Sequence, residues 1–454
     1  MNLNDLHTVY FVGVGGIGMS AIARYFNGRG IEVHGYDRTA TELTRTLAAE
    51  GIDIHYDEDI SQIPERVDLV VYTPAVPDSH AELKYFRQQG VPLKKRAEVL
   101  GMISRSMKTI AIAGTHGKTT TTTLTAYLLR ECGIDCTAFL GGIAMDFSTN
   151  FVEGQSEWVV VEADEYDRSF LHLSPDIAVI LSMDADHLDI YGSLEELHET
   201  GFRAFAKKQK DGGTLYLQHD WQQQLGAVPG LQTFGVEGGQ FRAEKIRVEE
   251  GYFTFDYRSP DQQMDGLQLS LPGRHNVENA TAAISIVLQL GAKEADLRRA
   301  LKSFRGIRRR FEFVYREADG LYIDDYAHHP SELKAAIGAA RELYPGRKLT
   351  GIFQPHLFSR TRDFINGFAE ALAEVDELLL MEIYPAREAP IAGVDSAWLL
   401  DKVDHADKVL IPEEHILDAV KARQPEVLLT LGAGDIELLR APLKRYFETR
   451  STNG

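Results

Sequence analysis

The residues best suited to chemistry are Gly114, Thr115, His116, Gly117, Lys118, Thr119 and Thr120, directly after the apolar run 109–113. A strand that ends in glycines and opens a helix presents backbone N–H groups to phosphates. A lysine there can bridge β and γ oxygens, and a threonine hydroxyl can take a magnesium ion. The usual G-x-x-x-x-G-K spacing would need glycine at Ile112, but here the first glycine is Gly114. The shortened G-x-x-G-K-T-T still reads as an ATP loop. Two further apolar runs end in acids, Glu162-Ala-Asp164-Glu165 and Asp184-Ala-Asp186-His187. In a parallel sheet the carboxyl ends of neighbouring strands open into one crevice, so these groups are expected to converge beside the phosphate loop. Carboxylates with one histidine suit Mg²⁺ or Mn²⁺ bridging ATP phosphates. For Asp184 and Asp186, helix capping is the competing role.

A different glycine loop lies upstream. Gly13, Gly15, Gly16 and Gly18 spell G-x-G-x-x-G after an apolar run, and Asp37 closes the next run about twenty residues on, the dinucleotide spacing. Taken alone, it predicts NAD. A dehydrogenase has no evident use for a second loop carrying Lys118, so the remaining motifs must decide. His275, Asn276 and Asn279 open a helix at 272–279 and could bond a nucleobase or ribose, with capping equally open. Arg309 and Arg310 stand at an expected domain junction, the place for an arginine that clamps a phosphoryl group from another domain. The polar cluster Asp324-Asp-Tyr-Ala-His-His329 follows a strand, and Gln354, His356 and Arg360 follow another, where they could grip a carboxylate. Gly432-Ala-Gly434-Asp435 reads as a βα turn.

The elements that must hold these groups are legible in outline. With 454 residues, two to four domains are expected. Short apolar strands alternate with amphipathic helical stretches up to about residue 106, giving a doubly wound α/β domain over 1–107. A second α/β unit is expected over 108–308, with an antiparallel appendage where period-two alternation sets in between 240 and 272. A third spans 309–454. The net charge of −19 opposes broad binding to nucleic acid or acidic membranes. Cys132 and Cys136, the only cysteines, fit neither a zinc knuckle nor a thioredoxin motif and read as packed thiols. No apolar run reaches the ~18 residues of a membrane helix and no cationic leader precedes the first strand, so a cytoplasmic protein is expected.

GTHGKTTT, EADE, ADHLD, PGRHNVEN, RRFE, DDYAHHP and QPH-x-x-SR occur in that order across nearly the whole chain. The ordered set resembles the Mur ligases, ATP-dependent amino-acid ligases of bacterial peptidoglycan synthesis. VGVGGIGMSAIA further resembles the branch that joins L-alanine to UDP-N-acetylmuramate rather than its sister that recycles a tripeptide.

The resemblance implies three α/β domains, ATP and Mg²⁺ (or Mn²⁺), and a monomer or weak homodimer with no nucleic-acid or membrane partner. It turns the first loop into a diphosphate cradle, with Gly15, Gly16, Ile17, Gly18, Asp37, Thr73, Ala75 and Arg96 at the UDP-sugar. Lys118 is implied to neutralise β/γ charge, with Thr119, Glu162 and His187 on metal. His275, Asn276, Asn279 and Asp325 are implied at the nucleotide, Arg310 at the phosphate, and Tyr326, His328, His356 and Arg360 at the amino acid. Two departures follow. Residues 188–206 contain no lysine of the kind that some family members carbamylate, as is usual in this branch. Leu357 stands where many members of the branch have arginine, which shifts the grip on the alanine carboxylate towards Arg360.

Overall fold

The run Thr8–Val12 is buried along its whole length, as a strand covered on both faces must be, and it forms the centre of a five-stranded parallel sheet. The order is Asp53–His55, Glu32–Tyr36, Thr8–Val12, Leu69–Tyr72, Leu93–Lys95. In this computed structural model, residues 3–186, 188–318, 320–386 and 388–451 are described. The strand order reverses beside Thr8–Val12, and the first glycine loop leaves its carboxyl end to open the helix Ile17–Asn27. That is the switch point at which doubly wound sheets bind ligands.

The second sheet is mixed and ten-stranded. Lys108–Ala113 runs parallel between Trp158–Ala163 and Ile177–Ile180, in register Ile112↔Glu162 and Ala113↔Ile180. Its far edge ends in Phe241–Glu249, Tyr252–Arg258 and Gln263–Leu269. Glu250 and Gly251 join the first two of these with φ of 54° and 80°, the two-residue turn that sends a strand back antiparallel. Phe241–Glu249 itself joins Leu231–Val236 in parallel register.

The helix Ile17–Asn27 also packs on the second sheet. Tyr25 meets Phe139 and Phe151, at ring centroid distances of 5.5 and 6.3 Å. Asn150 donates to Ser20 Oγ (2.9 Å) and accepts from Arg24. Phe139 and Phe151 join Phe11, Phe26, Val159 and Val161 in one apolar core. Each such ring contributes about 2–3 kcal/mol on burial, so the two glycine loops are fixed to a common support.

The third sheet has the order Glu312–Glu317, Gly320–Asp325, Val427–Leu431, Leu349–Phe353, Glu377–Leu380, Lys408–Leu410, parallel except at the Glu312–Glu317 edge. The chain divides into two compact units. Met1–Lys245, Phe255–Leu267 and Glu278–Arg305 form one; Ile246–Thr254, Gln268–Val277 and Gly306–Gly454 form the other. Both cysteines are free, and burial pushes the Cys136 thiol up to about 12, which leaves it inert. Among the described residues no helix is long and apolar enough to cross a membrane.

Candidate active site

The second loop is held by its neighbouring strand end. Thr115 Oγ1 and Ser182 Oγ lie 2.9 Å apart, the His116 amide donates to Ser182 Oγ (2.9 Å), and the Asp184 amide donates to Thr115 Oγ1 (3.1 Å). His116 Nε2 is 3.8 Å from Asp184 Oδ2. The helix Lys118–Glu131 then begins at Gly117, and Asn279 covers that turn, its Oδ1 2.6 Å from where a Cβ on Gly117 would sit. Lys118 Nζ donates to Gly114 O (2.7 Å) and to both oxygens of Glu165 (3.0 and 2.8 Å). Burial works against the ammonium's charge, but Glu165, Asp164 and Glu162 outweigh it and hold Lys118 protonated above the usual lysine range.

Thr119 Oγ1 donates to Glu162 Oε2 at 2.9 Å. A Cβ at Gly141 would overlap Glu162 Oε2 and press on Thr119 Oγ1, so only glycine leaves this oxygen pair in place. Two hard oxygens beside a phosphate loop fit Mg²⁺, which commonly takes one or two protein oxygens and completes its shell with phosphate and water. Among the described residues no group of three or more His, Cys, Asp or Glu is gathered for a metal. His187 lies outside the described residues.

Glu162 also faces a cavity of about 200 Å³. Its lining brings Ile17, Gly18 and Arg96 together with Gly141, Glu162 and Asp164 of the second sheet's strand ends, with Ala21, Ile22, Leu100, Phe139 and Leu140 as an apolar wall. Arg96 Nη2 is 3.9 Å from Asp164 Oδ2 and Lys95 Nζ is 3.1 Å from Asp167 Oδ2, so the first domain's cations meet the second sheet's acids at this rim. In the first loop the Gly15 amide donates to Asp37 Oδ2 (2.7 Å), and Gly13 and Val14 donate to Tyr36 O. The Gly16 amide reaches Gly13 O at 3.5 Å. Thr73 lies against Gly13, and its Oγ1 accepts from the Ala75 amide (3.4 Å).

The other unit carries a second cluster. Arg309 is buried and spent on Asp324, Glu437 and Gly432 O. Arg310 remains one-third exposed, lies over the Tyr326 ring at 5.3 Å, and sits 3.9 Å from Glu332. Asp325 accepts from the Phe311 and Ala327 amides, both at 2.7 Å, and its desolvated setting lifts it to about 6. His328 Nδ1 is 3.3 Å from Glu332 Oε2, and its ring meets that of His356 edge-on at 6.0 Å. His356 stacks on Tyr384 (5.6 Å) and faces Arg360 Nη1 at 3.3 Å. Burial first, then Arg360 and His328, bring His356 down to about 4. Asn276 Nδ2 donates to Pro272 O (2.6 Å), within the turn that opens its helix, and His275 follows Arg274 on the exposed side of that turn.

Three family profiles match consecutive stretches of the chain: "Mur ligase family, catalytic domain" over residues 8–108, "Mur ligase middle domain" over 112–287, and "Mur ligase, glutamate ligase domain" over 309–435. The UDP-N-acetylmuramate--L-alanine ligase of Christiangramia forsetii is 47% identical over 442 residues, covering 96% of each chain. The chain belongs to the Mur ligase family. The Flavobacterium johnsoniae protein of the same name is 46% identical, covering 98% of this chain and 99% of its own. Among solved structures, this Mur ligase is similar to the UDP-N-acetylmuramate-alanine ligase MurC of Thermotoga maritima, with a TM-score of 0.83 and 30% identity over 97% of this chain and 99% of that one. A murein peptide ligase from Psychrobacter arcticus shares the fold, with a TM-score of 0.69 and 23% identity over 96% of this chain and 98% of that one.

Of the Mur ligase residues expected from sequence, Lys118, Thr119, Glu162 and Asn279 gather at the second loop, and Gly18 and Arg96 lie against each other in the cavity lining. Arg310, Asp325, Tyr326, His328, His356 and Arg360 gather in the other unit. Sequence reasoning missed Ser182, Glu332 and Tyr384 as holders of expected residues. It quoted Glu165 without a task. For Ser182 and Glu165 a signal existed, since each lies beside a strand end that faces the loop. Glu332 and Tyr384 act across elements and leave no local pattern.

Proposed function

We propose that this Mur ligase joins L-alanine to the lactyl carboxylate of UDP-N-acetylmuramate at the expense of ATP, forming ADP and phosphate, in peptidoglycan precursor synthesis. The observation that carries the reading is the cavity that runs from the first glycine loop to Glu162. A sugar diphosphate seated on the amides at Gly15, Gly16 and Gly18, with Asp37, Thr73 and Ala75 around the nucleoside and Arg96 at the rim, would extend past Ile17 towards the second loop. Its apolar wall suits the acetyl and lactyl methyl groups. Its acidic end suits a carboxylate only when a cation lies between, and Thr119 and Glu162, with His187, would hold that Mg²⁺.

ATP would lie on Gly114, Thr115, His116, Gly117 and Thr120, with His275, Asn276, Asn279 and Asp325 towards its nucleoside. Lys118 neutralises β/γ charge, and bound Mg²⁺ supplies Lewis-acid relief of the phosphate charge. The lactyl carboxylate oxygen attacks the γ-phosphorus and ADP leaves. The alanine amine then attacks the acyl carbonyl, and inorganic phosphate leaves with the electron pair of the broken C–O bond. A carboxylate without such a leaving group does not react with an amine at neutral pH. Arg310 stabilises the transferred phosphoryl group. Tyr326, His328, His356 and Arg360 receive alanine, Arg360 holding its carboxylate. The proposed functional segments are 1–107, 108–308 and 309–454, acting in the cytoplasm as a monomer or weak homodimer.

Phosphate release from ATP with UDP-N-acetylmuramate present tests this. Release is expected with L-alanine and not without an amino acid. Release with the L-Ala-D-Glu-diaminopimelate tripeptide but not with alanine would overturn it in favour of a recycling ligase.

A further inference from the structure

Lys118 has a counterion that the reaction above does not use. Glu165 is fully buried, and both of its carboxylate oxygens contact the ammonium, at 3.0 and 2.8 Å. The third ammonium proton goes to Gly114 O at 2.7 Å, so all three donors are spent inside the protein, two on Glu165 and one on the loop's own backbone. Glu165 is braced from behind, where Tyr191 donates to its main-chain oxygen at 2.8 Å. Glu165 lies two residues past the strand Trp158–Ala163 that supplies Glu162, so one strand end puts one carboxylate on Thr119 and another on Lys118. A phosphate arriving at this loop meets a lysine that is already neutralised.

We propose that Glu165 is a positioning residue that keeps Lys118 retracted on its own loop and sets the threshold of phosphate charge needed to draw it out. A buried carboxylate gives up a paired cation reluctantly. One phosphate at the helix N-terminus is too weak a competitor. The β group of ADP, and the β and γ groups of ATP, are strong enough, and the ammonium then bridges phosphate and Glu165. The loop therefore distinguishes nucleoside di- and triphosphates from monophosphates by charge as well as by reach. This rests on the reading that Lys118 neutralises nucleotide β/γ charge.

Calorimetric titration of the full chain with ADP and with AMP, for the wild type, Glu165→Gln and Lys118→Ala, tests it. Glu165→Gln keeps the shape and removes the competing charge, so its Kd for ADP should fall about tenfold while that for AMP stays unchanged. Glu165→Asp, which withdraws the carboxylate by one methylene, should lie between, and it serves if the glutamine variant does not fold. Lys118→Ala should weaken ADP and not AMP. If Lys118→Ala weakens ADP but neither Glu165 variant moves the ADP:AMP ratio, or either lowers it, Glu165 is structural and the proposal falls alone. If Lys118→Ala leaves ADP binding unchanged, the role given to Lys118 fails and takes this proposal with it.

Discussion

The two glycine loops solve one problem differently. Each leaves a strand paired in parallel on both sides and opens a helix, and in each an internal acid accepts what a phosphate would accept: Asp37 from the Gly15 amide, Glu165 from Lys118. Asp37 is half-exposed and meets only backbone, so ligand and water can replace it at little cost. Glu165 is fully buried and meets a full charge. In the proposed function the first loop therefore reads shape through amides, and the second reads charge through a lysine. Glycine spacing alone does not separate them.

The sharpest way to break this comparison is Lys118→Ala. Removing an electrostatic stabiliser at a transferred group costs on the order of 10²–10³-fold in kcat. UDP-N-acetylmuramate binding, measured by calorimetry, should be unchanged, because the first loop does not use the lysine. Gly141→Ala should follow at about 10²-fold, since displacing Glu162 from Thr119 misplaces the oxygen pair by about an ångström. Its signature is a raised Mg²⁺ requirement in a metal titration of the rate. Arg360→Ala should raise KM for alanine far more than KM for ATP, and equal effects would remove its assignment. Asp37→Asn should be milder, shifting UDP-sugar affinity only a fewfold with ATP affinity unchanged, because amides rather than charge hold that ligand.

The smallest effect concerns acid. His356 titrates near 4 in the fold and near 6.5 unfolded, so between these values the unfolded chain binds more protons and stability falls as pH falls. Asp325, raised from 3.8 to about 6, binds its proton more readily in the folded state and works the other way. In urea unfolding, His356→Asn should retain more of its pH 7 stability at pH 5 than the wild type does, and Asp325→Asn less.

Much of this was legible in the residues. The strands Thr8–Val12, Lys108–Ala113 and Trp158–Ala163 are near-continuous apolar runs, and fully buried parallel strands permit little else. The loops and strand-end acids follow from that, because topology sends those ends to one crevice. What was not legible depends on register and distance. Glu165 contacts Lys118 across 47 positions, and only the pairing Ala113↔Ala163 decides that it turns inward. Leu357 has a φ of 72°, a costly conformation for a branched side chain, fixed by its amide's bond to Tyr384 O at 3.0 Å. No local pattern around Leu357 announces that partner. Arg309 and Arg310 are adjacent and identical in sequence, yet burial spends the first on Asp324 and leaves the second available.

The central claim is that one cavity delivers the sugar's carboxylate towards the ATP loop, where it takes the γ-phosphoryl group before the alanine amine attacks its carbonyl. Turnover with UDP-N-acetylmuramate carrying ¹⁸O in its lactyl carboxylate measures this directly, read by mass spectrometry of the released phosphate. The account predicts one labelled oxygen in each phosphate formed, because the C–O bond made to phosphorus is the one the amine breaks. Alanylated product accompanied by unlabelled phosphate would contradict it.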